Sequence, residues 1–117
     1  MELFLLEYLL SKQGIKFEIF MASHTQTPVL MLFYETHKEE LEVFERLKKN
    51  NPTIASYLAV SVKNNPEVAK TFKVTQLPTY LILYKGKECW RHVGNANIDL
   101  LKNNLALIEP INREAFI

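Results

Sequence analysis

The run Val29-Leu30-Met31-Leu32-Phe33-Tyr34 is apolar or aromatic at every position. A strand sends alternate side chains to opposite faces, so a run without polar interruptions belongs to a strand covered on both sides. The chain is 117 residues long, which is enough for one hydrophobic core and not for two. Hydrophobic residues make up 48% and charged residues 23%, ordinary values for a globular domain. The formal net charge of +1 gives no reason to expect nucleic acid or an anionic membrane as a partner. Cys89 is the single cysteine, so no internal disulfide can form, and a reducing cytoplasm suits the chain.

The other elements read from their punctuation. Met1 to Leu6 opens as a secretory signal does, but Glu2 and Glu7 interrupt it and no small-residue cleavage site follows. It is too short to span a bilayer. A docked helix is expected instead, with Leu3, Leu6 and Leu10 on one face, Leu5 and Leu9 beside them, and Gly14 after it. Ile15 to Met21 alternates as a strand does. After the central run, Thr36-His37-Lys38-Glu39 has the form of a capping box, in which Thr36 and Glu39 each satisfy the other's backbone N–H. A helix is predicted from there to about Lys49, with Leu41, Val43, Phe44 and Leu47 inward; Asn50-Asn51-Pro52 stops it. Ile54 to Val62 is a third strand. Asn65-Pro66 begins a short helix, Asn65 as cap and Pro66 at its first position, with Val68, Ala69 and Phe72 inward. Pro78 leads into a strand ending at Tyr84, and Lys85-Gly86 turns it into Lys87 to Val93 as a hairpin. Asn97 caps a last helix that Pro110 is expected to end.

From Val29 onward the order is strand, helix, strand, short helix, proline-led hairpin, helix. Three segments carry a resemblance to the thioredoxin superfamily: Val29 to Tyr34, Asn65 to Val74, and Val74-Thr75-Gln76-Leu77-Pro78-Thr79 through Lys85-Gly86 to Val93-Gly94. The last resembles the family's cis-proline loop and hairpin. The likeness covers about two-thirds of the chain, residues 29–108. It implies an α/β thioredoxin-like fold, a central mixed sheet of four to five strands flanked by helices on both faces, in a single domain over residues 1–117. Residues 1–28 and 109–117 are atypical of the family. Ile15 to Met21 is seven residues from the central strand, too short a link for a parallel crossover. That strand is expected antiparallel at an edge, or paired with another chain.

Redox members of the family carry two cysteines at the start of the helix after the central strand, where the helix N-terminus stabilises a thiolate. The resemblance puts those positions at Lys38 and Leu41, neither of which attacks a disulfide. Glu39 and Glu40 between them would raise the pKa of a neighbouring thiol. The family's buried acid on the central strand corresponds to Leu32. Both losses point the same way, to a protein without dithiol–disulfide activity and not an enzyme of that kind. Monothiol chemistry also needs a cysteine at the first position.

Other residues give weaker signals. Cys89 is expected to be a half-buried small hydrophobe, with a reactive-thiol role as the alternative, helped by nearby Arg91 and His92. His37 and Glu40 lie three apart at the helix start but lack a third ligand, and read better as exposed polar groups. His24 and His92 are isolated; no metal or cofactor is expected. Trp90 and Tyr80 are either partner anchors or packed beneath helices. In redox members the backbone beside the family's proline pairs with an extended substrate chain, which needs no cysteine. The candidate binding surface is therefore Tyr34, His37, Lys38, Gln76, Leu77 and Pro78. The expected function is a redox-inactive thioredoxin-like adaptor for a protein or peptide. The alternatives are a thiol-dependent redox protein acting through Cys89, and a mainly structural homodimer built from the two termini.

Overall fold

Strand β1 (Val29–Tyr34) sends its side chains to both faces of the single sheet, so the domain's one core has two layers, a first and a second core, as the uninterrupted apolar run requires. Val29, Met31 and Phe33 join one cluster with Leu58, Val60, Val68, Ala69, Leu81 and Leu83. Leu30 and Leu32 join another with Phe44, Leu47, Tyr80, Ile82, Leu101 and Leu105. The structure, a computed structural model, describes residues 27–36 and 38–114, with side chains for 27–36 and 39–108. The expected N-terminal helix and the Ile15–Met21 strand fall outside the described residues.

Helix α1 (Lys38–Asn50) follows β1 and returns the chain to β2 (Ser56–Ser61), which pairs with β1 in parallel. Glu39 and Glu40 occupy its first turn and Lys48 and Lys49 its last, matching the helix dipole at both ends. The helix stops where Asn51 donates from its backbone N–H and its side-chain amide to the Leu47 carbonyl, at 2.9 and 3.2 Å. The Tyr57 hydroxyl then donates to the Asn51 carbonyl at 2.7 Å, and its ring meets Phe44 edge-on at 5.8 Å. Helix α2 (Pro66–Thr71) covers the first core through Val68, Ala69 and the half-buried Phe72, whose ring lies 5.9 Å from Phe33. Strand β3 (Thr79–Tyr84) is buried throughout and runs antiparallel to β1. Strand β4 (Lys87–Val93) forms the hairpin with β3. Its turn residues, Lys85 and Gly86, have φ of 52° and 81°, the left-handed pair that a two-residue hairpin turn needs. Helix α3 (Ile98–Glu114) packs Leu101 and Leu105 against α1 and the second core. Asn97 caps it, its side-chain oxygen accepting from the Leu100 N–H at 2.8 Å. The described sheet has four strands in the order β2-β1-β3-β4, mixed, with helices on both faces.

The expected Thr36–Glu39 capping box runs across position 37, outside the described residues. Three local expectations need correction. Asn65 precedes α2 but its side chain does not cap it; the amide donates instead to the Ser61 carbonyl at 3.1 Å. The third strand is shorter than Ile54 to Val62 at both ends. Helix α3 continues through Pro110 to Glu114. A proline inside a helix removes one hydrogen bond, the one to the carbonyl four residues earlier, and the turns on either side carry it across.

The hairpin is tied to α2 by one arginine. Arg91 donates from Nε and Nη2 to the two Glu88 carboxylate oxygens, both at 2.9 Å, and also to the Phe72 and Lys73 carbonyls at the end of α2. The Arg91 hydrogen bond holds the Glu88 carboxyl below its ordinary pKa. A carboxyl depressed by folding stabilises above its unfolded pKa and loses that contribution as pH falls through its folded pKa. Glu88→Gln is therefore expected to cost stability at neutral pH, and nothing once pH falls below the usual carboxylate range. The Glu88 side chain is 39% exposed, so solvent screening limits the difference to about 1 kcal/mol or less. Urea unfolding of both proteins across pH 2–7 checks this (roughly the span of carboxylate titration); a gap that widens in acid would contradict it.

Candidate functional site

Antiparallel pairing of Phe33 with Thr79 and of Thr79 with Val93 sets three chain segments side by side at one end of the sheet. Tyr34, half-buried, ends β1 there, and the start of α1 follows four residues later. Gln76, Leu77 and Pro78 approach the same end, just before β3. The Leu77–Pro78 peptide bond is cis. Two hydrogen bonds hold this loop: the Thr79 hydroxyl donates to the Gln76 carbonyl at 2.6 Å, and the Gly94 N–H donates to the Pro78 carbonyl at 2.8 Å. Gly94 has φ of 107°, which only glycine adopts readily. Leu77, between those two bonded residues, makes no main-chain hydrogen bond among the described residues. Its side chain is 37% exposed, and Val93, across from Thr79, is 48% exposed. Of the six residues expected to form a surface, Tyr34, Gln76, Leu77 and Pro78 do share this end. His37 and the Lys38 side chain lie outside the described residues. Val93 was missed because strand alternation alone does not say that an apolar residue at a hairpin's end stays uncovered.

A second feature lies beside this end, on the α1–α3 face. Tyr80 pairs with Leu32 on one side and His92 on the other, and its side chain points into the second core. It forms part of a cleft of about 150 Å³ with Glu39, Glu40 and Val43 of α1 and with Asn95 and Ala96. Glu40 is only 7% exposed, not the exposed helix-start residue its position suggested. Its Oε2 is buried without a hydrogen-bond partner, and so is the hydroxyl of the fully buried Tyr80. Burial, and then the Glu40 charge, pushes the Tyr80 pKa up to about 12, so the phenol keeps its proton at any physiological pH. Asn95, on the cleft's lining, is held by His92, which belongs to an aromatic column. Trp90 stacks on His92 at 5.8 Å and 7°, and His92 lies 6.5 Å from Tyr80. His92 Nε2 is 2.9 Å from the Asn95 carbonyl, which can only accept, so that nitrogen carries a proton. Sequence alone gave no sign of the cleft, because its two polar atoms come from α1 and β3 and meet only in the fold.

Leu32 is fully buried among these apolar groups. Cys89 is exposed rather than half-buried, because it is the unpaired residue of a bulge: Ile82 faces Trp90 while Leu83 faces Glu88. Desolvation, the largest influence on it, raises its thiol pKa. Arg91, the neighbour that would favour the reactive-thiol alternative, is engaged by Glu88 and the end of α2. Among the described residues no three His, Cys, Asp or Glu side chains are grouped to hold a metal ion. None of the described helices is long and apolar enough to cross a membrane.

Superposition on solved structures decides the architecture. Thioredoxin NaTrxh from Nicotiana alata matches with a TM-score of 0.70 and 24% identity, over 78% of this chain and 81% of that one. The fold is thioredoxin-like. Fasciola hepatica thioredoxin matches at 0.67 and 24% identity, over 78% of this chain and 89% of its own. The germline-specific thioredoxin Deadhead from Drosophila melanogaster gives 0.66 and 21%, over 78% and 90%. No protein-family model matches the sequence, and no curated protein matches it. At these identities the thioredoxin-like likeness concerns the fold alone. Within that fold the described sheet is mixed, with four of the expected four to five strands and a helical layer on each face.

Proposed function

We propose that this chain is a redox-inactive thioredoxin-like protein that binds an extended segment of a protein or peptide at the Pro78 end of its sheet. The observation that supports this most directly is the main chain of Leu77. Its N–H and C=O have no partner among the described residues, while the neighbouring Gln76 and Pro78 carbonyls are both engaged. An unpaired main-chain unit at a sheet's end can hydrogen-bond an incoming strand, and flanking apolar side chains supply the specificity. Leu77 and Val93 are those side chains here. With one exposed cysteine whose thiol pKa is raised, and with Lys38 and Leu41 where a redox pair would stand, the site lacks the groups for disulfide exchange.

The test is selection from a displayed library of random linear peptides against the full chain. Selected peptides are expected to shift the amide signals of Gln76, Leu77, Thr79 and Val93. Leu77→Asp combined with Val93→Asp is expected to weaken them at least tenfold, about 1.4 kcal/mol. Peptides that bind with those amides unmoved would refute the surface. Reduction of insulin disulfides supplies the opposing test: no turnover is expected, and turnover abolished by Cys89→Ser would replace this reading with a thiol-dependent one.

A further inference from the structure

Glu40 and Tyr80 both line one cleft, and each holds a buried polar atom without a partner, which calls for a ligand of complementary chemistry. Native proteins leave few such groups unpaired, because each unmade hydrogen bond in the interior carries a desolvation penalty. Here the pair is Glu40 Oε2, an acceptor, and the Tyr80 hydroxyl, which accepts as well as donates. The occupant must therefore donate hydrogen bonds, and it gains further from a positive charge beside Glu40. The cleft's volume of about 150 Å³ exceeds that of a single water, about 30 Å³ in the liquid, so one bridging water does not fill it. Val43 and Ala96 give it apolar wall, suited to an alkyl stem behind a charged head. Guanidinium fits these conditions better than ammonium: it is planar, presents several donors at once, is weakly hydrated and does not lose its charge on burial.

We propose that the Glu40–Tyr80 cleft is a binding site for the guanidinium head of an arginine side chain. The carboxylate of Glu40 and the phenol oxygen of Tyr80 accept its N–H groups, and Val43 and Ala96 flank its methylenes. Glu39, on the neighbouring position of the same helix turn, adds negative potential at the mouth. The site is distinct from the unpaired main chain at Leu77. A ligand consisting of one residue cannot add a strand to the sheet, so the two readings fail separately.

The experiment is an amide-resolved NMR titration of the full chain with N-acetyl-arginine amide and, in parallel, with N-acetyl-citrulline amide, its neutral near-isostere. The arginine probe is expected to bind saturably, shifting the amides of Glu40, Val43, Asn95 and Ala96, and to bind at least tenfold more tightly than the citrulline probe. Glu40→Gln keeps the shape of the side chain and is expected to erase that preference; Tyr80→Phe is expected to weaken the arginine probe at least threefold. Equal binding of the two probes, no saturable binding, or an undiminished preference in Glu40→Gln would overturn the proposal. The probe comparison on the unaltered protein decides the question even if a variant fails to fold.

Discussion

Replacing Leu32 by aspartate is expected to remove most or all of the protein's stability. Leu32 has no exposed surface, and of its cluster only the Tyr80 hydroxyl, on the residue paired with it across the sheet, can donate to a carboxyl; Ile82, Phe44, Leu101 and Leu105 offer nothing. Losing the leucine's burial costs about 2 kcal/mol. Burying a carboxyl with at most that one hydrogen bond costs about 3–5 kcal/mol more. The sum, about 5–7 kcal/mol, is comparable to the whole folding free energy of a small domain. The fold itself accepts an acid at this point in other thioredoxin-like proteins, as the family resemblance implies, so the penalty belongs to the surroundings built here. Glu40 makes matters worse, since it already places a buried carboxyl on the same face of the sheet. Urea denaturation followed by circular dichroism measures the loss, with Leu32→Met as control at below about 1.5 kcal/mol. An aspartate variant within 1 kcal/mol of the parent would mean that this layer holds a polar partner for it after all (about the scale of an average point mutation).

Tyr80→Phe is expected to do the opposite and raise stability by about 1–2 kcal/mol. Removing the hydroxyl deletes a buried polar atom that has no partner while keeping the ring that packs near His92. For a domain of this size the change corresponds to a rise in Tm of about 4 °C per kcal/mol. Deleting a partnered hydroxyl would instead destabilise. A lower Tm in Tyr80→Phe would show that Tyr80 is satisfied within the free protein, and would remove one support for the arginine site. A more stable variant that binds the arginine probe less well is the signature of a group retained for binding at a cost to folding.

Local signals in the sequence were the dependable ones. The unbroken apolar run of β1 needs only two covered faces to explain it, and it has them. Lys85-Gly86 carries its turn in its own backbone preference, and Asn97 caps α3 with its own side chain. The Pro78 loop and hairpin follow the family pattern closely enough to place β3 beside β1 and β4 beyond it. Where meaning depends on what arrives from elsewhere, the reading failed. Glu40 looks like a solvated helix-start residue until Tyr80, Asn95 and Ala96 close over it. Cys89 looks like an ordinary strand position, because one extra residue in a ladder leaves no mark in composition. Pro110 reads as a stop because proline opposes helix in general, and α3 passes through it nonetheless. That Tyr34, Gln76, Leu77 and Pro78 share one end of the sheet was legible from the resemblance. Its apolar flank at Val93 was not, since exposure at a strand's end is decided by the absence of a covering element.

The bulge at Cys89 also bears on how copies of this protein meet. In the described sheet β4 is an outer strand, with one side of its backbone open to any other chain able to pair. Regular pairing along that border needs an even ladder, and the extra residue breaks it midway between Lys87 and Val93. Lys87 and Glu88 sit exposed ahead of the break, so a second molecule would also meet charge there. The border nearest the chain's only thiol is thus poorly suited to growing a continuous sheet between molecules.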